Sequence, residues 1–171
     1  YEISLVVKAA ISVIMALSLN MITGFCGQIS LGHAAFQGVG AYTAVILTLQ
    51  GYNFAFATAG GMISAGTLGF VVGLTSLRVR HDFLAITTMG VAFLFSGIVE
   101  QTKALGDTDG ISNYPHPDFD PFGYMVMTLT LAVLVLAISI YVQRSWMGTA
   151  FKSIADDEDT ARLLGIDVAR F

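Results

Sequence analysis

Five stretches of the chain are each long and apolar enough to cross a lipid bilayer, and this pattern limits the fold more than any other feature. They are Ile3–Thr23, Ile29–Leu49, Phe54–Leu77, Phe83–Val99 and Phe122–Val142. A transmembrane helix needs about 20 mainly apolar residues, and in hydrocarbon it pairs its own backbone polar groups. The sequence therefore predicts an all-α, polytopic transmembrane helix bundle of about five spans. It forms one transmembrane domain over residues 1–171, with a polar segment over residues 143–171.

The composition agrees with a chain that lies in a lipid bilayer. Of the 171 residues, 55% are hydrophobic and 12% are charged, whereas soluble domains are about 45–50% apolar and about 25% charged. The formal net charge of -4 gives no reason to expect a nucleic-acid partner. Because the chain starts at Tyr1 and stops in a polar segment, we expect it to be a fragment with further helices elsewhere.

The positions of the basic residues predict the orientation in the membrane. Two regions on the same side of five alternating crossings hold six of the eight basic residues: Arg78, Arg80, Arg144, Lys152, Arg162 and Arg170. Cytoplasmic loops of membrane proteins are enriched in Lys and Arg. The start of the chain and the loop Glu100–Pro121 are therefore predicted to be external.

The third stretch carries small residues at every fourth position, namely Gly61, Ala65, Gly69 and Gly73. Helices associate in lipid mainly where small residues let their backbones approach. These four residues are predicted to form one continuous helix-packing face.

The second stretch combines glycines with polar side chains, which is unusual at membrane depth. The polar residues are Gln28, Ser30, His33, Gln37 and Tyr42, and polar groups in hydrocarbon need partners. One interpretation is a locally unwound, polar element that lines a transport pathway. The other is a re-entrant or interfacial start to an ordinary helix, and the residues alone do not choose between them.

Motifs of catalysis and metal binding are missing from the sequence. There is no phosphate-binding loop and no His-Glu-x-x-His, and Cys26 is the single cysteine. Asp107 and Asp109 lie in the external loop without EF-hand spacing, and turn chemistry explains them. The sequence predicts no catalytic site, no metal site and no cofactor in this chain.

The polar C-terminal segment has a helical pattern of its own. Phe151, Ile154, Ala161 and Leu164 make one apolar stripe, acidic residues precede Ala161, and Gly165 is a helix stop. We predict a short amphipathic helix over Asp157–Leu164 on the cytoplasmic face. Its anionic first turn favours a protein partner over anionic lipid.

Four segments together resemble the M-type permease subunits of branched-chain amino acid ABC importers. They are residues 19–44, which read LNMITGFCGQISLGHAAFQGVGAYTA, and residues 77–90, 108–111 and 144–168. The turn Leu105–Gly110 is poorer in glycine than is common in that family. The likeness extends over essentially the whole chain.

The resemblance implies a role that the residues by themselves only permit. It implies a subunit of the bacterial inner (plasma) membrane that carries branched-chain or related hydrophobic amino acids and pairs with a second permease subunit. It also implies two ATP-binding subunits that hydrolyse the ATP, and a periplasmic solute-binding protein. The helix at Asp157–Leu164 would couple to the ATPase through Ile154, Glu158, Ala161, Leu164 and Gly165.

The alternative is a secondary transporter or channel for a small polar solute such as an amide or urea. Proton or ion coupling of that kind typically uses an intramembrane acid paired with a cation, and the five stretches contain none.

Overall fold

The computed structural model describes residues 2–76, 81–106, 109–111 and 120–157, together with residues 161 and 163. These residues form helices and their connections, in agreement with the predicted all-α class. The helices are α1 (Glu2–Asn20), α2 (His33–Leu49), α3 (Phe54–Ser76), α4 (His81–Gln101), α5 (Pro121–Arg144) and α6 (Trp146–Asp156). A π-helical turn, Met21–Phe25, extends α1, and a 3-10 turn, Lys103–Leu105, follows α4.

Four helices within the described ranges are long and apolar enough to cross a bilayer. They are Glu2–Phe25, Phe54–Leu74, Leu84–Gln101 and Pro121–Arg144. The fifth long helix, α2, has 17 residues. Its length is therefore about 26 Å, and the hydrocarbon core of a bilayer is about 30 Å thick. The predicted multi-spanning helix bundle is thereby confirmed.

Two boundaries differ from those predicted. Helix α2 begins at His33 rather than at Ile29, because residues 28–32 are not helical. The C-terminal segment already forms a helix, α6, before the predicted start at Asp157. The backbone of Asp157 is extended (φ -161°, ψ 110°), so the predicted apolar stripe is not one continuous helical face.

One compact unit of the chain contains α1, the π-helical turn, α5 and α6. Helices α1 and α5 pack against each other, and α6 contacts both α5 and the π-helical turn. Since that turn ends α1 and α6 follows α5, the C-terminal ends of the two long helices lie together. Parallel α1 and α5 are what five alternating crossings require.

The corner between α5 and α6 depends on two small residues. The Ser145 hydroxyl donates to the Val142 carbonyl at 2.7 Å and accepts from the Gly148 N–H at 3.4 Å, which caps α6. Gly148 is buried, and a Cβ there would lie 2.6 Å from the Gln143 carbonyl oxygen. The absence of a side chain at Gly148 therefore allows α6 to turn tightly away from α5.

The second compact unit, residues 30–117, contains α2, α3 and α4. Gly40 of α2 lies beside Gly61 and Ala65 of α3, and Leu47 lies beside Gly60. As residue numbers rise along α2, the residues that they contact on α3 have falling numbers, so the two helices are antiparallel. Leu31 and Gly32 meet Thr88, and Gly38 meets Phe95, so α2 and α4 run in the same direction.

Candidate functional site

The start of α2 holds most of the polar residues that the sequence singled out. The helix has no side-chain cap at Gly32, and the Ala35 N–H donates to the Gly32 carbonyl at 2.9 Å. Residues 28–32 precede it without helical structure. The prediction of a locally unwound element agrees with this backbone, although an interfacial start to the helix does so equally.

Thr88 of α4 satisfies part of this non-helical backbone. The Leu31 N–H donates to Thr88 Oγ1 at 3.1 Å, and the same hydroxyl donates to the Leu84 carbonyl at 2.9 Å. Thr88 is 3% exposed. An N–H without a partner is costly at membrane depth, because water cannot replace the partner in hydrocarbon. Thr88 therefore fixes the start of α2. The sequence did not predict this role, because Thr88 looks like an ordinary residue of a membrane span.

Gly32 makes this contact sterically feasible. A Cβ on Gly32 would overlap the Thr88 carbonyl oxygen and lie 3.1 Å from Thr88 Cβ. Only glycine lets the two backbones come this close.

The predicted pathway residues do not share one face. Successive residues of an α-helix are about 100° apart, which puts Gln37 about 40° from His33 and Tyr42 about 180° from it. His33 is half-buried and Gln37 is exposed. Gln28 precedes them in the other compact unit, where its N–H donates to the Ile22 carbonyl at 3.3 Å. His33 and Gln37 thus form one polar face, which we call the α2 polar face.

Tyr42 instead packs against α4. Its ring meets that of Phe95 edge to face, with centroids 5.8 Å apart, a geometry that stabilises aromatic pairs. A Cβ on Gly38 would overlap the Phe95 ring. Gly38 and Tyr42 therefore hold α2 to α4.

Ser30 precedes α2 in the same unit. Its hydroxyl oxygen is buried and has no hydrogen-bond partner among the residues that the structure describes.

The small-residue face predicted on α3 is divided. A Cβ on Gly61 would lie 2.5 Å from the Gly40 carbonyl oxygen, and a Cβ on Gly40 would lie 3.3 Å from the Ala65 Cβ. At Gly69 and Gly73 an added Cβ would meet no atom within 4 Å. Within the described chain, the N-terminal half of the face packs on α2 and the C-terminal half is open.

Two of the residues predicted for coupling are buried, with Ile154 9% exposed and Ala161 1% exposed. Leu163, which was not among the predicted residues, is 88% exposed. The Ala161 N–H donates to the Asp157 carbonyl at 2.9 Å, and both Ala161 and Leu163 are helical. Glu158, Leu164 and Gly165 lie outside the described residues.

An open groove of about 540 Å³ lies where α5 ends. Its lining is mainly apolar and includes Ala137, Ile140, Tyr141 and Arg144. None of the predicted pathway residues lines it. Among the described residues there is also no cluster of three His, Cys, Asp or Glu side chains that could hold a metal ion.

Cys26 has the surroundings of an unreactive thiol. It lies in the connection before α2, its Sγ is 3.5 Å from the Met21 carbonyl oxygen, and burial raises the pKa of the thiol. The neutral thiol predominates at physiological pH, which makes Cys26 a poor nucleophile.

A polytopic helix bundle defines an integral membrane protein, and a glycine-rich, partly non-helical polar segment at a helix start is a feature found in transporters. The comparison with protein families agrees and is more specific. The family described as "Branched-chain amino acid transport system / permease component" matches residues 2–171. The chain belongs to this family, as the resemblance implied.

Two curated relatives carry the same printed name, "High-affinity branched-chain amino acid transport system permease protein LivM". That of Salmonella typhimurium is 27% identical over 202 residues, covering 99% of this chain and 47% of the relative. That of Escherichia coli is 28% identical over 193 residues, covering 94% of this chain and 45% of the relative. The chain thus spans about half the length of the curated relatives it matches. No solved structure matches it significantly.

Proposed function

We infer that the chain is a membrane-spanning part of an ATP-driven importer that moves branched-chain or related hydrophobic amino acids across the bacterial inner membrane. The observation that carries this proposal is the family match over residues 2–171. The names of the two relatives supply the substrate class. ATP hydrolysis belongs to two separate ATP-binding subunits, and a second permease subunit and a periplasmic solute-binding protein complete the transporter.

The segment after α5 is the part of the chain that contacts the ATP-binding partner. Parallel α1 and α5 and the basic residues Arg144 and Lys152 support a cytoplasmic location for it. Leu163 exposes 88% of its surface in this polar segment, which leaves an apolar side chain available to a partner. Ala161 and Ile154 are buried, and they act by holding the segment in place.

The test is uptake into proteoliposomes that contain the assembled transporter and its binding protein. Labelled leucine is expected to enter only when ATP is supplied, and labelled acetamide and urea are expected not to enter. ATP-independent uptake of acetamide or urea would instead establish a channel or secondary transporter.

A pair of variants tests the contact with the ATPase. Leu163→Asp is expected to lower leucine uptake at least about tenfold, since a charge replaces an apolar contact at an interface (~1.4 kcal/mol per tenfold). Leu163→Met keeps an apolar side chain and serves as the control. Equal uptake by the two variants would exclude Leu163 from the interface.

A further inference from the structure

Helix α6 lies directly against the turn that leads from α1 towards α2. A Cβ on Gly27 would be 2.9 Å from the Ala155 Cβ and 3.4 Å from the Ala155 Cα. Gly27 also has φ +66°, a conformation that residues with a side chain rarely adopt. Gly27 thus meets two requirements at once, a left-handed backbone and close contact with α6.

Helix α6 is held at both ends of this contact. Ser145 and Gly148 fix its start to α5, and Ile154 is buried immediately before Ala155. Within the described part of the chain, α6 packs mainly on α5 and on the π-helical turn. A movement of α6 relative to α5 would therefore act on the turn.

The chain from Gly27 to the α2 polar face is short. Residues 28–32 connect Gly27 to His33, and n extended residues span at most about 3.3–3.6 Å × n. The Gln28 N–H is tied to the Ile22 carbonyl, and the Leu31 N–H is tied to Thr88. A displacement of Gly27 therefore reaches the start of α2 through five residues, two of which have hydrogen-bonded N–H groups.

We propose that the Gly27–Ala155 contact is a positioning contact that passes displacement of α6 to the start of α2 and so to the α2 polar face. The inference rests on the proposed function, since it takes the ATP-binding partner to be what moves α6. Gly27 and Ala155 are positioning residues in this mechanism, and neither is required to touch the substrate.

The experiment adds bulk to this contact from each side in the assembled transporter. Ala155→Leu enlarges the helix side without changing the backbone of Gly27, and Gly27→Ala introduces the 2.9 Å overlap. Gly51→Ala is the matched control, because Gly51 also has positive φ (+86°) but an added Cβ would meet no atom within 4 Å. The readouts are leucine uptake and ATP hydrolysis, measured on the same proteoliposomes.

Uptake per ATP hydrolysed is expected to fall about tenfold in Ala155→Leu and in Gly27→Ala, in keeping with the typical size of overpacking effects. Gly51→Ala is expected to stay near the unmodified ratio. Adding Ala155→Gly to Gly27→Ala removes the overlapping methyl and is expected to restore part of the ratio. A merely structural role would lower the amount of inserted protein and leave the ratio unchanged.

The proposal is overturned if Ala155→Leu keeps the unmodified ratio, or if Ala155→Gly fails to improve the ratio of Gly27→Ala. Should Gly27→Ala not insert, Ala155→Leu alone decides. Disulfide trapping of Gly27→Cys with Ala155→Cys, in a Cys26→Ser background, tests the contact without using transport. Failure of the proposed function has a different signature, since the unmodified transporter would then show no ATP-dependent uptake while the disulfide still forms.

Discussion

The crossing of α2 and α3 allows the effect of one methyl group to be worked out from the structure. A Cβ on Gly61 would lie 2.5 Å from the Gly40 carbonyl oxygen and 3.3 Å from the Ala44 Cβ. Carbon and oxygen atoms in close backbone contacts are about 3.3–3.6 Å apart. Gly61→Ala must therefore push the two helices apart by about 1 Å, because a backbone carbonyl cannot rotate out of the way.

The energetic cost follows from this displacement. A gap of about 0.5–1 Å forfeits about a quarter to a half of the dispersion energy of the affected contacts, and overpacking typically costs ~1–3 kcal/mol. In a protein of this length each kcal/mol lowers the melting temperature by about 2–4 °C. Gly61→Ala is thus expected to lower the apparent Tm by about 2–12 °C.

Two other glycines provide a graded comparison. A Cβ on Gly40 would be 3.1 Å from the Gly61 carbonyl oxygen, so Gly40→Ala is expected to cost less than Gly61→Ala. A Cβ on Gly69 would meet nothing within 4 Å. Since alanine is favoured over glycine in a helix by up to ~1 kcal/mol, Gly69→Ala is expected to leave the apparent Tm unchanged or to raise it.

The assay is thermal denaturation of the purified protein in one detergent, followed by the loss of the monodisperse peak in size-exclusion chromatography. The order of apparent Tm is expected to be Gly69→Ala highest, then Gly40→Ala, then Gly61→Ala. Equal Tm values for Gly61→Ala and Gly69→Ala would refute the close crossing of α2 and α3.

Three further outcomes are expected. Thr88→Val leaves the Leu31 N–H without its acceptor and should cost ~1–3 kcal/mol, whereas Thr88→Ser should retain most of the stability in the same denaturation assay; equal losses would exclude the hydroxyl as the anchor. In a Cys26→Ser background, cysteines introduced as Asp109→Cys and Lys152→Cys should be labelled by an impermeant maleimide from opposite sides of the membrane, and labelling from one side would contradict the alternating crossings. Because burial raises the pKa of Cys26, its reaction with maleimide should be slow at neutral pH and accelerate as pH rises, and fast, pH-independent labelling would show an exposed thiolate.

The sequence was sufficient for the fold class because bilayer length and backbone pairing leave few alternatives. Uninterrupted apolar runs such as Phe122–Val142 admit only a membrane-spanning helix. Helix α5, Pro121–Arg144, is only slightly longer than the predicted span at both ends. The predicted orientation and the family resemblance likewise needed only the positions of residues along the chain.

Spacing along the chain does not say which neighbour each residue of a face meets. Four-residue spacing on α3 predicted one packing face, and among the described residues Gly61 and Ala65 meet α2 while Gly69 and Gly73 stay open, because helices that cross stay close over a limited length. Tyr42 was grouped with His33 as a pathway residue, which stays a prediction, and the structure shows its ring packed on Phe95.

The residues themselves determined that this chain crosses the membrane several times as helices, since hydrocarbon accepts little else. Tertiary structure alone decided which backbones touch. Thr88 meets the Leu31 N–H, and Gly27 meets Ala155, although 57 positions separate the first pair. Such pairings depend on where helices cross and chain turns end, and no local pattern of side chains encodes that geometry.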